Sequence, residues 1–129
     1  KAFGKGAYIT KATAQLMRDL GSIQSPQNAF LLNLGLETLH LRMPQHCRNA
    51  QKVAEFLSKN EKVAWVNYCG LPDNKYYALA QKYMPNGSCG VISFGLKGGR
   101  DVSIKFIRLS VGIENAEDII ADIEQALNA

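Results

Sequence analysis

The sequence predicts an α+β fold class: a small, mainly antiparallel sheet with helices packed on one face. The first half of the chain carries only helical patterns, whereas the second half mixes short apolar strand patterns with helical ones. The length of 129 residues fits one globular domain. Hydrophobic residues make up 47% and charged residues 20%, which argues against a disordered chain, a collagen and a coiled-coil rod.

Two helices are predicted near the start of the chain. The apolar spacing over residues 8–20 predicts the first helix, and Gly21 is a typical C-terminal stop. Ser25-Pro26 predicts the start of the second helix, with serine as the N-cap. This second helix runs to Leu39 and is apolar nearly all the way round, so we expect it to pack against another domain or subunit.

The remaining elements follow in a mixed order. Proline cannot lie deep inside a helix, so Pro44 predicts a break or a new helix start between His40 and Met43. An amphipathic helix is then predicted, with an apolar stripe from Met43 to Leu57 and an end at Lys59-Asn60. Strands are predicted at 63–67, 91–96 and 107–111, turns at 70–73 and 85–87, a short helix at 74–83, and a last helix capped by Asn115.

One junction has no room for a connection. Asp101–Phe106 begins a helical pattern, and the strand pattern of 107–111 follows at once without a turn residue. Connections between such elements normally take several residues. We therefore expect residues to be missing from the sequence between Phe106 and Arg108.

Charge and apolar runs limit the function classes. The net charge is +4, and no run of five Lys or Arg residues occurs, so nucleic-acid binding is not indicated. Apolar runs such as Ala29–Leu32 are too short to span a membrane, and no signal-peptide pattern opens the chain.

The cysteines and histidines form no metal or disulfide pattern. Cys47, Cys69 and Cys89 contain no C-x-x-C pair, and this favours three free thiols in a reducing compartment and no metal site. We interpret His40 and His46 as structural or exposed residues.

Arg108 is the candidate functional residue. It opens an apolar strand at the edge of the predicted core, where a guanidinium can bind a carboxylate through two parallel hydrogen bonds. The alternative is a surface arginine in a structural ion pair. The loop Gly95–Arg100 lacks the full phosphate-binding pattern and is interpreted as a turn. No nucleophile–base constellation occurs, so the residues alone do not predict a complete active site.

Several segments together resemble the Cys/Met-metabolism enzymes that use pyridoxal phosphate. Arg108–Glu114 is similar to the C-terminal R-L-S-V-G-I-E signature of that family. The block Leu79–Gly87 resembles one branch of it, the O-acetylhomoserine sulfhydrylases. Further similar blocks, in the family's order, are Ser25–Leu32, Gly35–Met43, Asn49–Ala54, Val66–Tyr68 and Lys97–Gly99.

The resemblance implies a domain of a larger enzyme. Residues 1–24 would be a lead-in helix from an absent large domain, and residues 25–129 the C-terminal small domain of the aspartate-aminotransferase-like pyridoxal-phosphate fold. The parent would be a cytoplasmic homotetramer that replaces the acetate of O-acetylhomoserine with sulfide to give homocysteine. Its partners would be its own large domain, identical subunits and these small molecules, with no nucleic acid and no membrane.

The resemblance also implies which residues of the parent's active site lie in this chain. Arg108 matches the position that binds the substrate carboxylate. No lysine of this chain matches the one that carries the cofactor, and no cofactor-binding residue is expected here. The isolated chain would therefore be inert and would not hold pyridoxal phosphate. The family also has a further segment at the junction described above, which this sequence lacks.

Other interpretations stay open. A cystathionine synthase or lyase of the same family would share the fold and the arginine, and the thiol donor could be sulfide, methanethiol or cysteine. A non-catalytic α+β interaction module would have to cover its apolar helix by itself or in a dimer. A nucleic-acid binder would need a one-sided basic face and strongly salt-dependent binding.

Overall fold

The computed structural model describes residues 4–97 and 106–129. The chain divides into two compact units, Lys1–Glu37 and Thr38–Ala129. This division groups the second helix with the first, whereas the sequence prediction placed the boundary after residue 24. Most of the predicted helical turn Asp101–Phe106, and residues 98–100 of the predicted loop, lie outside the described residues.

The first unit is helical, as predicted. Its first stretch consists of a 3₁₀ turn Gly4–Gly6, helix α1 Ala7–Lys11, a π-helical segment Ala12–Met17 and helix α2 Arg18–Leu20. Gly21 ends this stretch in the left-handed conformation with φ of 66°, which confirms the predicted stop. Helix α3 then spans Pro26–Glu37, and the backbone N–H of Asn28 donates to the Ser25 hydroxyl at 3.2 Å, so Ser25 is the cap.

Helix α3 keeps its apolar side chains in solvent. No residue of it is buried, and Phe30 and Leu32 are 59% and 60% exposed. An all-apolar helix normally occurs where something covers it on several sides. The described residues of its own unit, Lys1–Glu37, do not bury the apolar side chains of α3.

Helix α4 starts earlier than the proline rule predicts. It spans Leu39–Lys59, and its first turn closes on the Thr38 carbonyl, which accepts from Leu41 and Arg42 at 3.0 Å. The predicted boundary between His40 and Met43 is therefore wrong, because Pro44 lies inside the second turn of this helix. Pro44 removes one hydrogen bond, the one that the His40 carbonyl would accept, and exposed His40 can bond water instead.

The sheet has three antiparallel strands in the order β1–β2–β3. They are β1 Val63–Asn67, β2 Val91–Leu96 and β3 Ile107–Ser110, which confirms the three predicted strands to within a residue. Val66 pairs with Phe94, and Phe94 pairs with Ile107, so these three share one face. We call this the inner face, because Phe94 is only 5% exposed on it.

In the part of the chain that the structure describes, the helices that pack on the sheet cover its inner face. Helix α4 presents Ala50, Val53, Ala54 and Leu57, each with no exposed surface, to the buried side chains of the sheet. Helix α6, Ala116–Asn128, adds a partly buried stripe. That stripe consists of Ile119, Ile120, Ile123 and Leu127. The predicted α+β class with helices on one face is confirmed.

The connection between β1 and β2 contains a short helix, α5, at Tyr77–Tyr83. It begins three residues later than predicted, because the Asn74 side chain accepts from the Tyr76 N–H and holds a turn there. The predicted turn after α5 is present, with Gly87 at φ of 135°. The last helix is capped as predicted: Asn115 accepts from the Glu117 N–H at 3.0 Å. None of the helices in the described part of the chain is long and apolar enough to cross a membrane.

Two side chains of α4 hold the segment that follows β3. His46 Nδ1 lies 2.8 Å from the Val111 carbonyl oxygen. Buried Asn49 donates to the carbonyls of Gly112, at 3.0 Å, and Glu114, at 2.6 Å. The exit of β3 is therefore fixed to the central helix through long-range polar contacts.

The Leu57→Ala variant tests the packing of α4 on the sheet. We expect it to lower the free energy of unfolding by about 2–5 kcal/mol, because it opens a cavity in a fully buried site. The matched control is Leu41→Ala on the same helix, where the side chain is 63% exposed and the change should stay within about 0.5 kcal/mol. Urea denaturation measures both, and equal losses would contradict this packing.

The Asn49→Asp variant tests the polar contacts of the segment after β3. It keeps the shape but places a carboxylate against two carbonyl oxygens, so we expect a loss of roughly 3 kcal/mol at pH 7. Two carbonyl oxygens face this buried carboxyl and only Gln45 donates to it, so its pKa is raised in the folded chain. The loss should therefore shrink as the pH falls from 7 towards about 4, where the group is protonated in the folded and the unfolded chain. Asn86→Asp at an exposed position is the control and should change stability little at either pH.

Candidate functional site

The outer face of the sheet is open and polar around Arg108. Arg108 on β3 pairs with Ser93 on β2, and Ser93 pairs with Asn67 on β1. Because side chains alternate along a strand, these three lie on the face opposite to the buried one. The register therefore forms a polar row across all three strands.

A cavity of about 350 Å³ contains this row. The turn after β1 supplies part of its wall, and Phe106 closes the wall on the β3 side. The ring of Phe106 packs against Trp65 with centroids 5.9 Å apart. Its described lining includes Asn67, Asn74, Tyr76, Ser93, Phe106 and Arg108.

The neutral polar groups of the cavity are bonded to one another. Asn74 donates to the side-chain oxygen of Asn67 at 2.9 Å, and Asn67 donates to the Ser93 hydroxyl at 3.4 Å. The backbone N–H of Tyr76 donates to Asn74 at 2.9 Å. These contacts orient the amides beside the guanidinium without placing a charge there.

The Arg108 guanidinium has no counter-ion among the described residues. Its side chain is exposed, no ion pair or hydrogen bond joins it to another described residue, and no carboxylate lines the described part of the cavity. Within residues 4–97 and 106–129, the alternative of a structural ion pair therefore has no partner. A single uncompensated guanidinium in a neutral polar cavity suits an anionic group, and a carboxylate above all.

Pyridoxal phosphate, which the resemblance implies, needs a lysine for covalent attachment and donors for its phosphate. The described lining of the Arg108 cavity contains no lysine, and Arg108 is its one cation. These residues fit a carboxylate, and they do not by themselves make a cofactor site. The described residues also hold no group of three His, Cys, Asp or Glu side chains that could bind a metal.

The other candidate residues have structural positions. His46 bonds the Val111 carbonyl and His40 is exposed, as the sequence indicated. The sequence did not reveal Asn67, Asn74 and Ser93 as parts of a site. Only their position in the strands could have indicated Asn67 and Ser93. Side chains alternate along a strand, and these two lie on the face opposite to the apolar residues that pack against the helices.

A larger cavity, of about 470 Å³, lies on the side of α4 that carries Cys47 and Arg48. Some of its polar side chains already have partners. Gln51 donates to Glu55 at 2.7 Å, and Lys52 forms an exposed ion pair with Glu117 at 3.0 Å. Unlike the described lining of the Arg108 cavity, the larger cavity also contains a carboxylate, that of Glu55.

Comparison with known sequences identifies relatives for nearly the whole chain. The family described as Cys/Met metabolism PLP-dependent enzymes matches residues 2–107. The O-acetyl-L-homoserine sulfhydrylase of Leptospira meyeri is 39% identical over 167 residues, which cover 94% of this chain and 38% of that protein. The chain thus spans about two fifths of the length of this curated relative.

Solved structures of enzymes with related names are also similar to this chain. A protein described as an O-acetylhomoserine (thiol)-lyase from Campylobacter jejuni has a TM-score of 0.81 and 33% identity, covering 99% of this chain and 38% of its own. That structure carries N'-pyridoxyl-lysine-5'-monophosphate. The cystathionine gamma-lyase from yeast has a TM-score of 0.77 and 32% identity, covering 84% of this chain and 40% of its own.

The matched family residues, the shared fold and the order of the elements agree. The three-stranded sheet with its helices is a part of the aspartate-aminotransferase-like fold that these relatives have. This chain therefore belongs to the Cys/Met-metabolism family of pyridoxal-phosphate-dependent enzymes.

Proposed function

We propose that this chain is the C-terminal part of an enzyme that replaces the acetate of O-acetylhomoserine with sulfide and yields homocysteine. The observation that carries the proposal is the Arg108 guanidinium, which is exposed in a cavity without a described carboxylate. The substrate is an α-amino acid, so it offers one carboxylate to such a group. The 39% identity to the O-acetyl-L-homoserine sulfhydrylase of Leptospira meyeri supports this choice of reaction.

Arg108 binds and orients the substrate in this proposal. Its planar guanidinium forms two parallel hydrogen bonds to the carboxylate, which fixes the direction of the rest of the molecule. The neutral amides of Asn67 and Asn74 add no competing charge, and Phe106 keeps water away from one side of the ion pair. When bound, pyridoxal phosphate supplies the electron sink that the replacement at the γ-carbon requires.

The remaining machinery belongs to other parts of the enzyme. The described cavity has no lysine, and the chain spans 38% of the Leptospira meyeri relative. Residues 1–24 are then a lead-in helix from the large domain, and 25–129 the small domain. The exposed apolar surface of α3 supports this arrangement, because the large domain or an identical subunit would cover it. By itself the chain is inert, and the complete enzyme is a cytoplasmic homotetramer.

A second candidate is the breakdown of cystathionine. The similarity to the yeast cystathionine gamma-lyase favours it, because that enzyme shares the fold at 32% identity. Cystathionine also has amino-acid carboxylates for Arg108 to bind. Product analysis separates the two reactions, since one consumes O-acetylhomoserine and sulfide and the other consumes cystathionine.

We also propose that residues are absent from the sequence between Phe106 and Arg108. The alignment to the Leptospira meyeri protein spans 167 positions, whereas 94% of this 129-residue chain supplies only about 121 of them. About 46 positions of that relative therefore face gaps. The family match ends at residue 107, beside this junction.

The substitution Arg108→Lys tests the role of the guanidinium in the complete enzyme that contains this chain. We expect kcat/KM for O-acetylhomoserine to fall about 100-fold, because a lysine cannot make the bidentate contact. Most of the change should appear in KM, since the carboxylate is bound before and during the reaction. The matched control is Arg48→Lys, which lies outside the Arg108 cavity and should keep its kinetics.

Three results would contradict the proposed function. These are unchanged kinetics in Arg108→Lys, equal losses in both variants, or turnover of cystathionine alone by the unaltered enzyme. Turnover of O-acetylhomoserine by the isolated 129-residue chain would contradict its proposed inertness.

An intact mass of the protein purified from its natural source tests the proposed missing segment. We expect a mass well above the 14.2 kDa of these 129 residues, and peptide mapping should place new residues between Phe106 and Arg108. A tryptic peptide in which Phe106, Ile107 and Arg108 are directly joined would contradict the proposal.

A further inference from the structure

Buried Tyr68 lies beside two cavities that also contain the three thiols of the chain. Tyr68 directly follows β1 and is only 2% exposed. The three cysteines are free in the structure. Cys69 and Cys89 also line the Arg108 cavity, whereas Cys47 lines the cavity on the side of α4.

The fold brings Cys69 and Cys89 together. The pairing of Asn67 with Ser93 places the end of β1 beside the start of β2. The Tyr68 hydroxyl donates to the Cys89 carbonyl at 3.0 Å, which fixes the residue before Cys69 to Cys89 itself. Both thiols line the Arg108 cavity, beside Tyr68. Both side chains are half-buried, so small molecules can reach them through the cavity.

Cys47 is a poorer partner. It is buried at 9% exposure and packs on the backbone of Gly87, where an added Cβ would lie 2.8 Å from the Cys47 Cβ. Its thiol lines a different cavity from the other two. Burial raises the pKa of the Cys47 thiol and of the Cys89 thiol alike, so the difference between these two lies in their exposure and position.

We propose that Cys69 and Cys89 form a reversible disulfide on the wall of the Arg108 cavity when the protein meets a low-molecular-weight disulfide such as oxidised glutathione. The inference rests on the contacts around Tyr68 and does not depend on the proposed function.

The exchange has two balanced steps. The Cys69 thiolate attacks one sulfur of oxidised glutathione, which forms a mixed disulfide and releases one glutathione thiolate. The Cys89 thiolate then attacks the Cys69 sulfur, which forms the protein disulfide and releases the second glutathione. Two protein thiols are oxidised, one glutathione disulfide is reduced, and the two protons go to the released thiolates. Cys69 attacks first because the Cys89 thiol donates to the Val91 carbonyl at 3.3 Å.

The disulfide would join the end of β1 to the start of β2 and remove two thiols from the cavity wall. The cavity that holds Arg108 would then differ between reducing and oxidising conditions. Oxidation is therefore expected to act on this site without any change at Arg108 itself.

Thiol trapping tests the inference on the 129-residue chain. The chain is equilibrated in reduced and oxidised glutathione buffers, unfolded in N-ethylmaleimide and weighed by mass spectrometry. We expect three alkylated cysteines after the reduced buffer and one after the oxidised buffer. Tryptic digestion without reduction should then yield a linked pair of peptides, 63–75 with 83–97.

Two comparisons make the result specific. The same equilibration in urea should need a glutathione disulfide-to-thiol ratio at least about tenfold higher, because unfolding removes the proximity of the two thiols. The Cys47→Ser variant should still form the Cys69–Cys89 disulfide in the oxidised buffer. The Cys89→Ser variant should give only a glutathione adduct or free thiols. Three alkylated cysteines in every buffer would overturn the inference, and so would a cross-link to peptide 43–48, which contains Cys47.

Discussion

Four side chains of α4, those of Ala50, Val53, Ala54 and Leu57, lie against the inner face of the sheet with no exposed surface. Two of them are alanines, which allow the helix to approach the strands closely. With α6 beside it, α4 takes up the apolar side of every strand. The strands alternate, so their remaining side chains must form the opposite face. The composition of that opposite face, and hence the site, depends on this packing.

The open face of the sheet carries the candidate ligand site. Asn67, Ser93 and Arg108 meet there because of the strand register, and no described carboxylate accompanies the arginine. Asn49 and His46 fix the exit of β3 to the same helix that packs under the sheet. The arginine is therefore presented by a strand held on its buried face and at its C-terminal end. This rigid presentation suits recognition of a carboxylate of fixed geometry.

Local sequence patterns predicted most helices, strands and caps. They did not predict contacts between segments that are distant in the sequence. The Ser25 and Asn115 caps, the stop at Gly21 and the three strands depend on neighbouring residues, so the sequence indicates them directly. The proline rule misplaced the start of α4, because exposed His40 can bond water in place of the missing N–H. The pairing of Asn67 with Ser93, and the placement of Cys69 and Cys89 in one cavity, arise from contacts between distant segments. A single sequence carries no local signal for such register. The strand-end position of Arg108 indicated a group that can bind a carboxylate, and the family resemblance implied that this carboxylate is the substrate's.

The group that the Arg108 guanidinium binds decides whether this chain recognises an amino-acid carboxylate. A crystal structure of the complete enzyme with O-acetylhomoserine or an unreactive analogue measures this directly. We predict two contacts of about 2.7–2.9 Å between the guanidinium nitrogens of Arg108 and the two carboxylate oxygens of the ligand. A ligand carboxylate held by other residues, with Arg108 paired to an Asp or Glu of the enzyme, would contradict the account.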